Sequence, residues 1–408
     1  MFARMRETEP SAGLRPYFTS LFIPSAIFGL GTGAGAPMMA LLARELGASV
    51  PVAGIIVALL ALGAVLGDLP SGTLVGRFGE VRAIVVGSSL GAVGVIISLV
   101  APNPAILAVG AVLTGFAFAV WGLARQSYLA GALPVHMRAR GISANAAMHR
   151  AGVLVGPFVG AIAVHQFGIR GGLMVELVAI IVAGALIART TVPEPQRSEG
   201  GDVGVLAVAR SHHVVLLTLG AGSMLVGASR ASREAVLPLW AEHIGIAPAT
   251  VSLVFGISGA VDLLLAYPAG VIMDKFGRRV TAVPALLLFG IAFLILPLIH
   301  ELWWLVVVAM LLGAANGWSN GVVMTLGADV SPPDRRAEFL GAWRLTHDVG
   351  SFTGPLLVGV VAAASLAAGA VAIGVLSIAG SAVMWRYIPR YVPSPKAHRQ
   401  AVSAGLES

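Results

Sequence analysis

The sequence has no cysteine, only two lysines and few charged residues of any kind. Of its 408 residues, 11% are charged, against about 25% in an ordinary soluble protein. Without cysteine, the chain has no disulfide, no thiolate metal ligand and no cysteine nucleophile. So little charge cannot cover the surface of a soluble domain of this length, which excludes that class of protein.

What the chain has instead is apolar sequence. Hydrophobic residues make up 57% of it, the mean hydropathy is +0.90, and there are 51 glycines and 23 prolines. Repeated apolar runs of about 20 residues are typical of membrane-spanning helices, which pack through small residues and tolerate proline. We therefore expect an all-α polytopic membrane protein. Residues 1–17 are polar for too long to form a signal peptide, so the first apolar run is expected to be retained.

Breaks of glycine, proline and charge separate twelve predicted spans. They cover 18–43, 51–75, 83–101, 104–133, 139–165, 171–190, 213–240, 248–273, 280–299, 302–329, 337–363 and 366–388. One long polar connection falls between the sixth and seventh spans. The predicted units are an N-terminal tail (1–17), a six-helix bundle (18–190), a linker (191–212), a second six-helix bundle (213–388) and a C-terminal tail (389–408).

The basic residues predict the orientation. If both tails are cytoplasmic, 19 of the 26 lysines and arginines fall on the inner side and two, Arg44 and Arg170, fall outside. Basic loops resist translocation, so this bias predicts cytoplasmic termini and a cytoplasmic linker. It also explains the net charge of +7 without a nucleic-acid partner.

Two similar strings indicate an internal repeat. "HRAGVLVGP" begins at His149 and "HDVGSFTGP" begins at His347, 198 residues later. The same offset pairs Gly79 with Gly277. A constant offset predicts one six-helix unit used twice, with the copies related by an axis along the membrane normal.

Three motifs resemble those of the major facilitator superfamily, in particular its twelve-helix drug:proton antiporter branch. They are "GVIMDKFGRR" (Gly270 to Arg279), "GVLVGPFVGA" (Gly152 to Ala161) and "GAGAP", which ends at Pro37. The resemblance implies two bundles that alternate access to a central cavity. It also implies a bacterial cytoplasmic (inner) membrane location, a functional monomer, and no cofactor or metal beyond a proton gradient.

The fifth-helix motif contains Gly152, Gly156, Pro157 and Gly160. Glycines four residues apart form a stripe that a neighbouring helix can approach closely. The resemblance places this helix between the two halves, where the stripe would be a sliding surface. Ordinary helix packing is the alternative.

The loop motif implies a gate at the inner side. Its residues are Gly270, Asp274, Lys275, Gly277, Arg278 and Arg279, with Asp329 at the end of helix ten and Arg336 after it. The first copy has Gly76 in place of Asp274 and Gly131 in place of Asp329. We therefore predict an asymmetric gate that the second copy holds. Loop charges that only set topology are the alternative.

Several charged residues fall inside the predicted spans, where a lone charge costs at least about 2.5–3.5 kcal/mol. Spacing of four residues predicts the pairs Arg230–Glu234 and Arg344–Asp348. Asp68 and Glu176 lie near span ends and are predicted to be wet. The candidates for proton coupling are Glu234, Asp348, Asp262, His347 and His149. Static salt bridges, and histidines that only bond a neighbouring helix, are the alternatives.

A mixed aromatic and polar wall is predicted for the cargo cavity. Its candidates are Phe28, Trp121, Arg125, Tyr128, Arg230, Asn316 and Asn320. Helical spacing places Trp121, Arg125 and Tyr128 on one face, although plain helix packing would also explain the two aromatics. Asn316 and Asn320 likewise share a face.

The expected function is export of small amphipathic compounds in exchange for protons, in a lipid bilayer. An importer of an anionic nutrient is an alternative, favoured by five arginines within spans. A transport-dead membrane sensor is another, disfavoured by the short tails. We expect no enzyme, because "GLGTGAG" lacks the Lys-Ser/Thr ending of a phosphate loop and no histidine–carboxylate set suggests a metal.

Overall fold

The computed structural model describes residues 21–133, 135–189, 205–332 and 335–392, and these residues are almost entirely helical. The helices are α1 (Ile23–Glu45), α2 (Val50–Phe78), α3 (Glu80–Val100), α4 (Pro104–Ala132), α5 (Val135–Phe167), α6 (Arg170–Ala188), α7 (Val205–Ser211), α8 (His213–His243), α9 (Pro248–Phe276), α10 (Arg279–Ile295), α11 (Leu302–Trp318), α12 (Val322–Asp329), α13 (Arg336–Val361) and α14 (Leu366–Tyr391). The predicted tail 1–17, the linker before residue 205 and the tail beyond residue 392 lie outside the described residues.

The described helices confirm an all-α polytopic membrane protein. Eleven segments are long and apolar enough to cross a membrane, one of them running through α11 and α12. The remaining predicted span corresponds to α13, which carries Arg344 and Asp348 in its first half and packs against α2 and α8.

Helix ends follow local sequence. The Asn103 side chain accepts a hydrogen bond from the Ile106 N–H at 3.0 Å, which satisfies an otherwise free amide at the start of α4. At the ends of α2 and α9, Gly79 and Gly277 have φ of 83° and 95°. Residues other than glycine rarely adopt this conformation, so both glycines allow the tight turn into the next helix.

Two parts of the chain differ from the prediction. The tenth span is two helices rather than one, because the chain turns at residues 319–321 and Gly321 adopts a left-handed φ of 78°. The linker includes a short helix, α7, whose Val208 is fully buried in a cluster with Phe339 and Trp343. An apolar segment in a polar connection gains stability by docking on the bundle.

The helices form two six-helix bundles with the same internal contacts. In the first bundle α1 packs on α5 and α6, α4 on α2 and α3, and α3 on α6. In the second, α8 packs on α13 and α14, α11 on α9 and α10, and α10 on α14. These pairs correspond one to one under the 198-residue offset.

Close contacts repeat at residue level as well. Gly29 lies against the carbonyl oxygen of His149, and Gly227 lies against that of His347. Each residue of the second pair is 198 positions after its counterpart, which confirms the internal repeat.

We name the molecule's faces by the charge prediction: the α1–α2 turn is on the outer side and the α2–α3 turn is on the inner side.

The bundles meet along a seam formed by α2 with α13, α5 with α9, and α1 with α8. Toward the outer side, Gly54 touches Gly359 and the ring of Phe158 packs on Gly256. Small residues therefore allow the bundles to approach closely above the centre of the molecule.

Candidate functional site

A cavity of about 290 Å³ lies between the two bundles. The first bundle contributes α1 and α5, and the second contributes α8, α9, α11 and the break that follows α11. Its lining residues are Thr32, Gly33, Ala36, Pro37, His149, Arg150, Val153, Leu154, Pro157, Arg230, Arg233, Glu234, Phe255, Gly259, Asp262, Leu263, Asn316 and Asn320. Three guanidiniums and two carboxyls thus share one small space with apolar side chains.

Two asparagines organise the charges on the second bundle's wall. Arg230 Nε donates to Asn316 Oδ1 at 2.6 Å, and Asn316 Nδ2 donates to Asp262 Oδ2 at 2.6 Å. Across the seam, Arg150 Nη2 donates to Asn320 Oδ1. Asn320 lies in the break after α11 and not on a helix face shared with Asn316, yet both reach the cavity. These charged side chains therefore face this cavity and one another.

Glu234 pairs with a different arginine from the one predicted. Arg233 Nη2 lies 2.9 Å from Glu234 Oε1, whereas Arg230 turns to Asn316. The predicted Arg230–Glu234 pair is wrong, because the asparagine gives Arg230 an acceptor and the long side chains of adjacent residues can meet. Nε and Nη1 of Arg233 have no hydrogen-bond partner within the described residues, and its guanidinium lies over the Phe255 ring.

The two repeated histidines have different partners. Nδ1 of His149 lies 3.3 Å from the carbonyl oxygen of Ser25 on α1. Nδ1 of His347 lies 3.2 Å from Asp348 Oδ1. His149 thus bonds a neighbouring helix and also lines the cavity, while His347 faces a carboxylate.

An arginine of α13 connects the bundles on the α2–α13 side of the seam. Arg344 Nη2 lies 3.1 Å from Asp68 Oδ1 of α2, and Arg344 Nε lies 3.4 Å from Asp348 Oδ2. The predicted Arg344–Asp348 pair is confirmed. Asp68, predicted to be wet, has a side chain that is 25% exposed and also forms an ion pair between the halves.

At the outer side, Arg44 of α1 pairs with Glu242 of α8, with Nε 3.0 Å from Oε2. Both side chains are about one third exposed. This contact closes the seam above the cavity, so the bundles are held together on that side.

Two bundles built from one repeat, with a charged cavity between them, are the architecture of a membrane transporter family. The family model for the Major Facilitator Superfamily matches residues 21–229 and again residues 219–407. The chain belongs to the major facilitator superfamily. Two matches in tandem also agree with the internal repeat.

Several known proteins are similar over most or part of the chain. An uncharacterized MFS-type transporter of Bacillus subtilis, YddS, is 27% identical over 402 residues, covering 90% of this chain and 88% of its own. The multidrug resistance protein MdtG of Dickeya zeae is 26% identical over 215 residues, covering 50% of this chain and 52% of its own. The crystal structure of the nucleoside transporter NupG superposes with a TM-score of 0.75 at 12% identity, covering 90% of this chain and 98% of that one.

The transporter's loop motif forms its contacts within the second bundle. Arg278 Nε lies 2.8 Å from Asp329 Oδ2, and its Nη1 lies 3.3 Å from Asp274 Oδ1. The hydrogen bond to Asp329 raises the pKa of Arg278 above its usual value, so this residue stays charged. The neighbouring Arg279 stacks on Trp385, with Cζ 3.2 Å from the ring centroid, and Lys275 lies over Phe276.

Three other residues of the motif lie at a helix end or beside open space. Gly277 ends α9 in the positive-φ turn described above, Gly270 has open space beside it, and Arg336 is the first residue of α13. Arg278 of the motif thus pairs with Asp329, the last residue of α12. Whether the gate is asymmetric stays a prediction.

In the transporter, the glycine stripe of α5 faces its own bundle. Gly152 and Gly156 lie against the carbonyl oxygens of Ala26 and Leu30, and Gly160 lies against Ala34, all on α1. The prediction of a sliding surface between the halves is therefore wrong. Arg150 is two positions before Gly152 and therefore about 200° away around the helix. Its side chain reaches across the seam to Asn320 of the second bundle.

The predicted aromatic wall lies inside the first bundle. Phe28 and Trp121 stack nearly parallel with ring centroids 3.9 Å apart, and Trp121 Nε1 donates to Ser88 Oγ at 3.2 Å. Tyr128 is fully buried, and Arg125 lies over the Trp121 ring. The described lining of the cavity includes none of these four, so they are packing residues in this conformation, whereas Arg230, Asn316 and Asn320 do line it.

Glu176 also differs from expectation. It was predicted to be wet, but it is 3% exposed, and its carboxyl occupies the space that a side chain at Gly35 would fill. Glycines on α1 let α6 approach and enclose the acid.

Arg150 and Arg233 line the cavity, although neither is among the predicted site residues. Their position inside apolar spans could have identified them, because intramembrane ionisable residues commonly face a cavity or a partner.

Proposed function

We propose that this transporter moves a small organic anion together with protons. The observation that carries the proposal is Arg233, whose Nε and Nη1 have no partner among the described residues and whose side chain lines the cavity. Buried donors without acceptors are costly, so a ligand that supplies acceptors is favoured there. A carboxylate or phosphate provides such acceptors together with a compensating negative charge.

The cavity limits the cargo's size and character. At about 290 Å³ it lies at the lower end of pockets that hold drug-sized ligands, roughly 300–1,000 Å³. Phe255, Leu154 and Leu263 supply apolar wall beside the charges. A compact molecule with one anionic end and one apolar part fits these features.

The Arg233–Glu234 pair suggests how proton coupling would work. An anion that takes the guanidinium displaces the Glu234 carboxylate, which is then left without its counter-charge in a site of low polarity. A proton on Glu234 removes that cost. Anion and proton therefore favour each other's binding, which is the requirement for moving both in the same direction.

Proton-coupled export of small amphipathic compounds is the second candidate. Similarity to the multidrug resistance protein MdtG and the fifth-helix sequence favour it. In that case a cationic or neutral cargo would compete with the proton for Glu234, Asp262 or Asp348.

A binding screen tests the cargo class. Purified protein is titrated with aromatic and aliphatic carboxylates, salicylate among them, each paired with its neutral amide. We expect binding of carboxylates only, and Arg233→Gln should weaken it at least about tenfold, since a hydrogen bond to a charged group contributes roughly 1.5–3 kcal/mol. Arg189→Gln, an exposed arginine at the inner end of α6, is the matched control. Equal binding of acids and amides would overturn the proposal.

Vesicles of both orientations then decide the direction. With a proton gradient directed inward, right-side-out vesicles should accumulate the bound carboxylate if it enters with protons. Accumulation only in everted vesicles acidified inside would instead establish export by exchange.

A further inference from the structure

Glu176 is a buried acid that the central cavity does not explain. It lies on α6, six residues from the outer start of the helix, which is about 9 Å along the axis. Its side chain packs against α1 at Gly35, and its backbone packs at Gly31. With an exposure of 3%, it is as enclosed as the apolar core around it.

No partner compensates a charge on this carboxyl. Within the described residues, Glu176 forms no ion pair and receives no hydrogen bond. Buried carboxylates are normally paired or bonded, because an isolated charge in an apolar environment is strongly disfavoured. In this conformation the group is therefore expected to carry a proton.

The helices that pack on α6 supply no nearby charge. From Ile23 to Ala43, α1 has no ionisable residue, and Arg44 lies nine residues beyond Gly35. The acid and base of α3, Glu80 and Arg82, are at the inner end, far from Glu176.

The remaining ionisable neighbours also point elsewhere. On α5, His149 bonds Ser25 and Arg150 bonds Asn320, while His165 is exposed near the outer end. Arg170, at the start of α6 itself, contacts Glu45.

One helix separates this acid from the cargo cavity. Gly31 and Gly35 of α1 face Glu176 and α6, whereas Gly33 and Pro37 face α5 and line the cavity. Positions two apart are about 200° around a helix, so the two faces are opposite. Glycines at 29, 31, 33 and 35 make this part of α1 easy to deform, because glycine stabilises a helix poorly.

We propose that Glu176 is a proton-binding site of the transport cycle and that α1 connects it to the central cavity. The proton-binding part stands independently, whereas its link to cargo rests on the proposed function.

The connection works through movement of α1. Cargo in the cavity presses on the Thr32 and Pro37 face and holds the glycine segment against Glu176, so the carboxyl stays enclosed and protonated while cargo is bound. When the cargo leaves, α1 shifts away from α6 and water reaches the carboxyl, which transfers its proton to that water and becomes a solvated carboxylate. When α1 returns, the carboxyl must take up a proton again before it is enclosed.

Carbodiimide labelling tests the proton site without any cargo. Dicyclohexylcarbodiimide forms a stable adduct with protonated carboxyls in apolar surroundings, and the adduct is found by mass spectrometry of the peptide that contains Glu176. We expect labelling of Glu176 at neutral pH, loss of that adduct in Glu176→Gln, and no change in the control Glu45→Gln, an exposed acid near the same side. Absence of the adduct in the wild-type protein at neutral pH would overturn the proton site.

Transport assays test the coupling. Glu176→Gln mimics the protonated acid, so it should still exchange labelled carboxylate for unlabelled carboxylate at equal concentrations. The accumulation ratio that a pH gradient drives should fall below that of the wild type, because only the proton on Glu234 then moves with the cargo. If the variant accumulates cargo like the wild type, the coupling role is wrong while the proposed function stands. If no carboxylate is bound or moved but Glu176 is still labelled, the proposed function fails and the proton site remains.

Discussion

Arg44 and Glu242 occupy the same position in the two copies of the repeat, and they pair with each other 3.0 Å apart. A residue and its own counterpart meet because the axis that relates the bundles passes between α1 and α8. The two copies carry a base and an acid at this position, so the equivalent surfaces are complementary.

We expect Arg44→Glu to favour the state that is open to the outer side. The pair is partly exposed, so it is worth about 0.2–1 kcal/mol, and like charges in its place should change the population of that state by several-fold. Spin labels at the exposed, equivalent positions Ser49 and Ala247 report the separation. Because the chain has no cysteine, both labels can be attached at introduced cysteines only.

The double variant Arg44→Glu/Glu242→Arg is the control for this prediction. It restores opposite charges and should return the distance distribution to that of the wild type. If the single reversal leaves the distribution unchanged, the pair does not hold the outer side closed.

Arg344 should matter more than either acid it touches. It neutralises Asp68 and Asp348 together, so Arg344→Gln leaves two carboxylates facing each other across the seam. We expect transport of the cargo carboxylate to fall several-fold in Arg344→Gln. The loss should be smaller in Asp68→Asn, because that variant preserves the pair between Arg344 and Asp348. Removal of the repulsion in the double variant Arg344→Gln/Asp68→Asn should recover part of the activity. A double variant no better than Arg344→Gln would contradict this account.

The loop motif predicts an order of effects at the inner side. Asp329 is one quarter exposed and bonds Arg278, whereas the Asp274 side chain is 76% exposed. Screening by solvent weakens the exposed contact. Initial transport rates should therefore fall most in Asp329→Asn, less in Asp274→Asn and least in Arg77→Gln, because the first copy lacks both acids of the motif. Greater harm from Arg77→Gln than from Asp274→Asn would show that the gate is not asymmetric.

The glycine stripe of α5 makes a prediction about stability. A methyl group at Gly152 would overlap the carbonyl of Ala26, so Gly152→Ala should push α1 and α5 apart and cost about 1–3 kcal/mol. Gly350→Ala, at the equivalent position against Met224, should cost a similar amount. Gly72 is in a helix with open space beside it, so Gly72→Ala should be neutral or stabilising. Thermal unfolding in detergent compares the three, and equal midpoints would contradict the close packing.

The parts of this structure that sequence could predict are those set by periodicity. The 198-residue offset located matching contacts such as Gly29 with His149 and Gly227 with His347. The glycine spacing predicted a close helix contact on α5. Neither pattern identifies the helix that packs on the glycines of α5. In the structure it is α1 of the same bundle and not a helix of the opposite bundle.

Side-chain partners were less predictable for a physical reason. The pair Arg230–Glu234 satisfied helix spacing, but Asn316 of another helix offered Arg230 an acceptor. Glu176 lay near a span end, and its burial depends on glycines of α1 that are distant in sequence. Long flexible side chains choose among tertiary neighbours, which a single-chain pattern does not contain.

The central claim is that the charged groups line a cavity that water reaches between two moving bundles. A charged, membrane-impermeant thiol reagent tests it most directly, with single cysteines at Ala36 on the cavity wall and at Val178 on the exposed apolar face of α6. The account predicts that Ala36→Cys reacts in everted vesicles, that Arg44→Glu moves its reaction to right-side-out vesicles, and that Val178→Cys reacts in neither. An Ala36→Cys that stays unreactive from both sides, with or without Arg44→Glu, would contradict it.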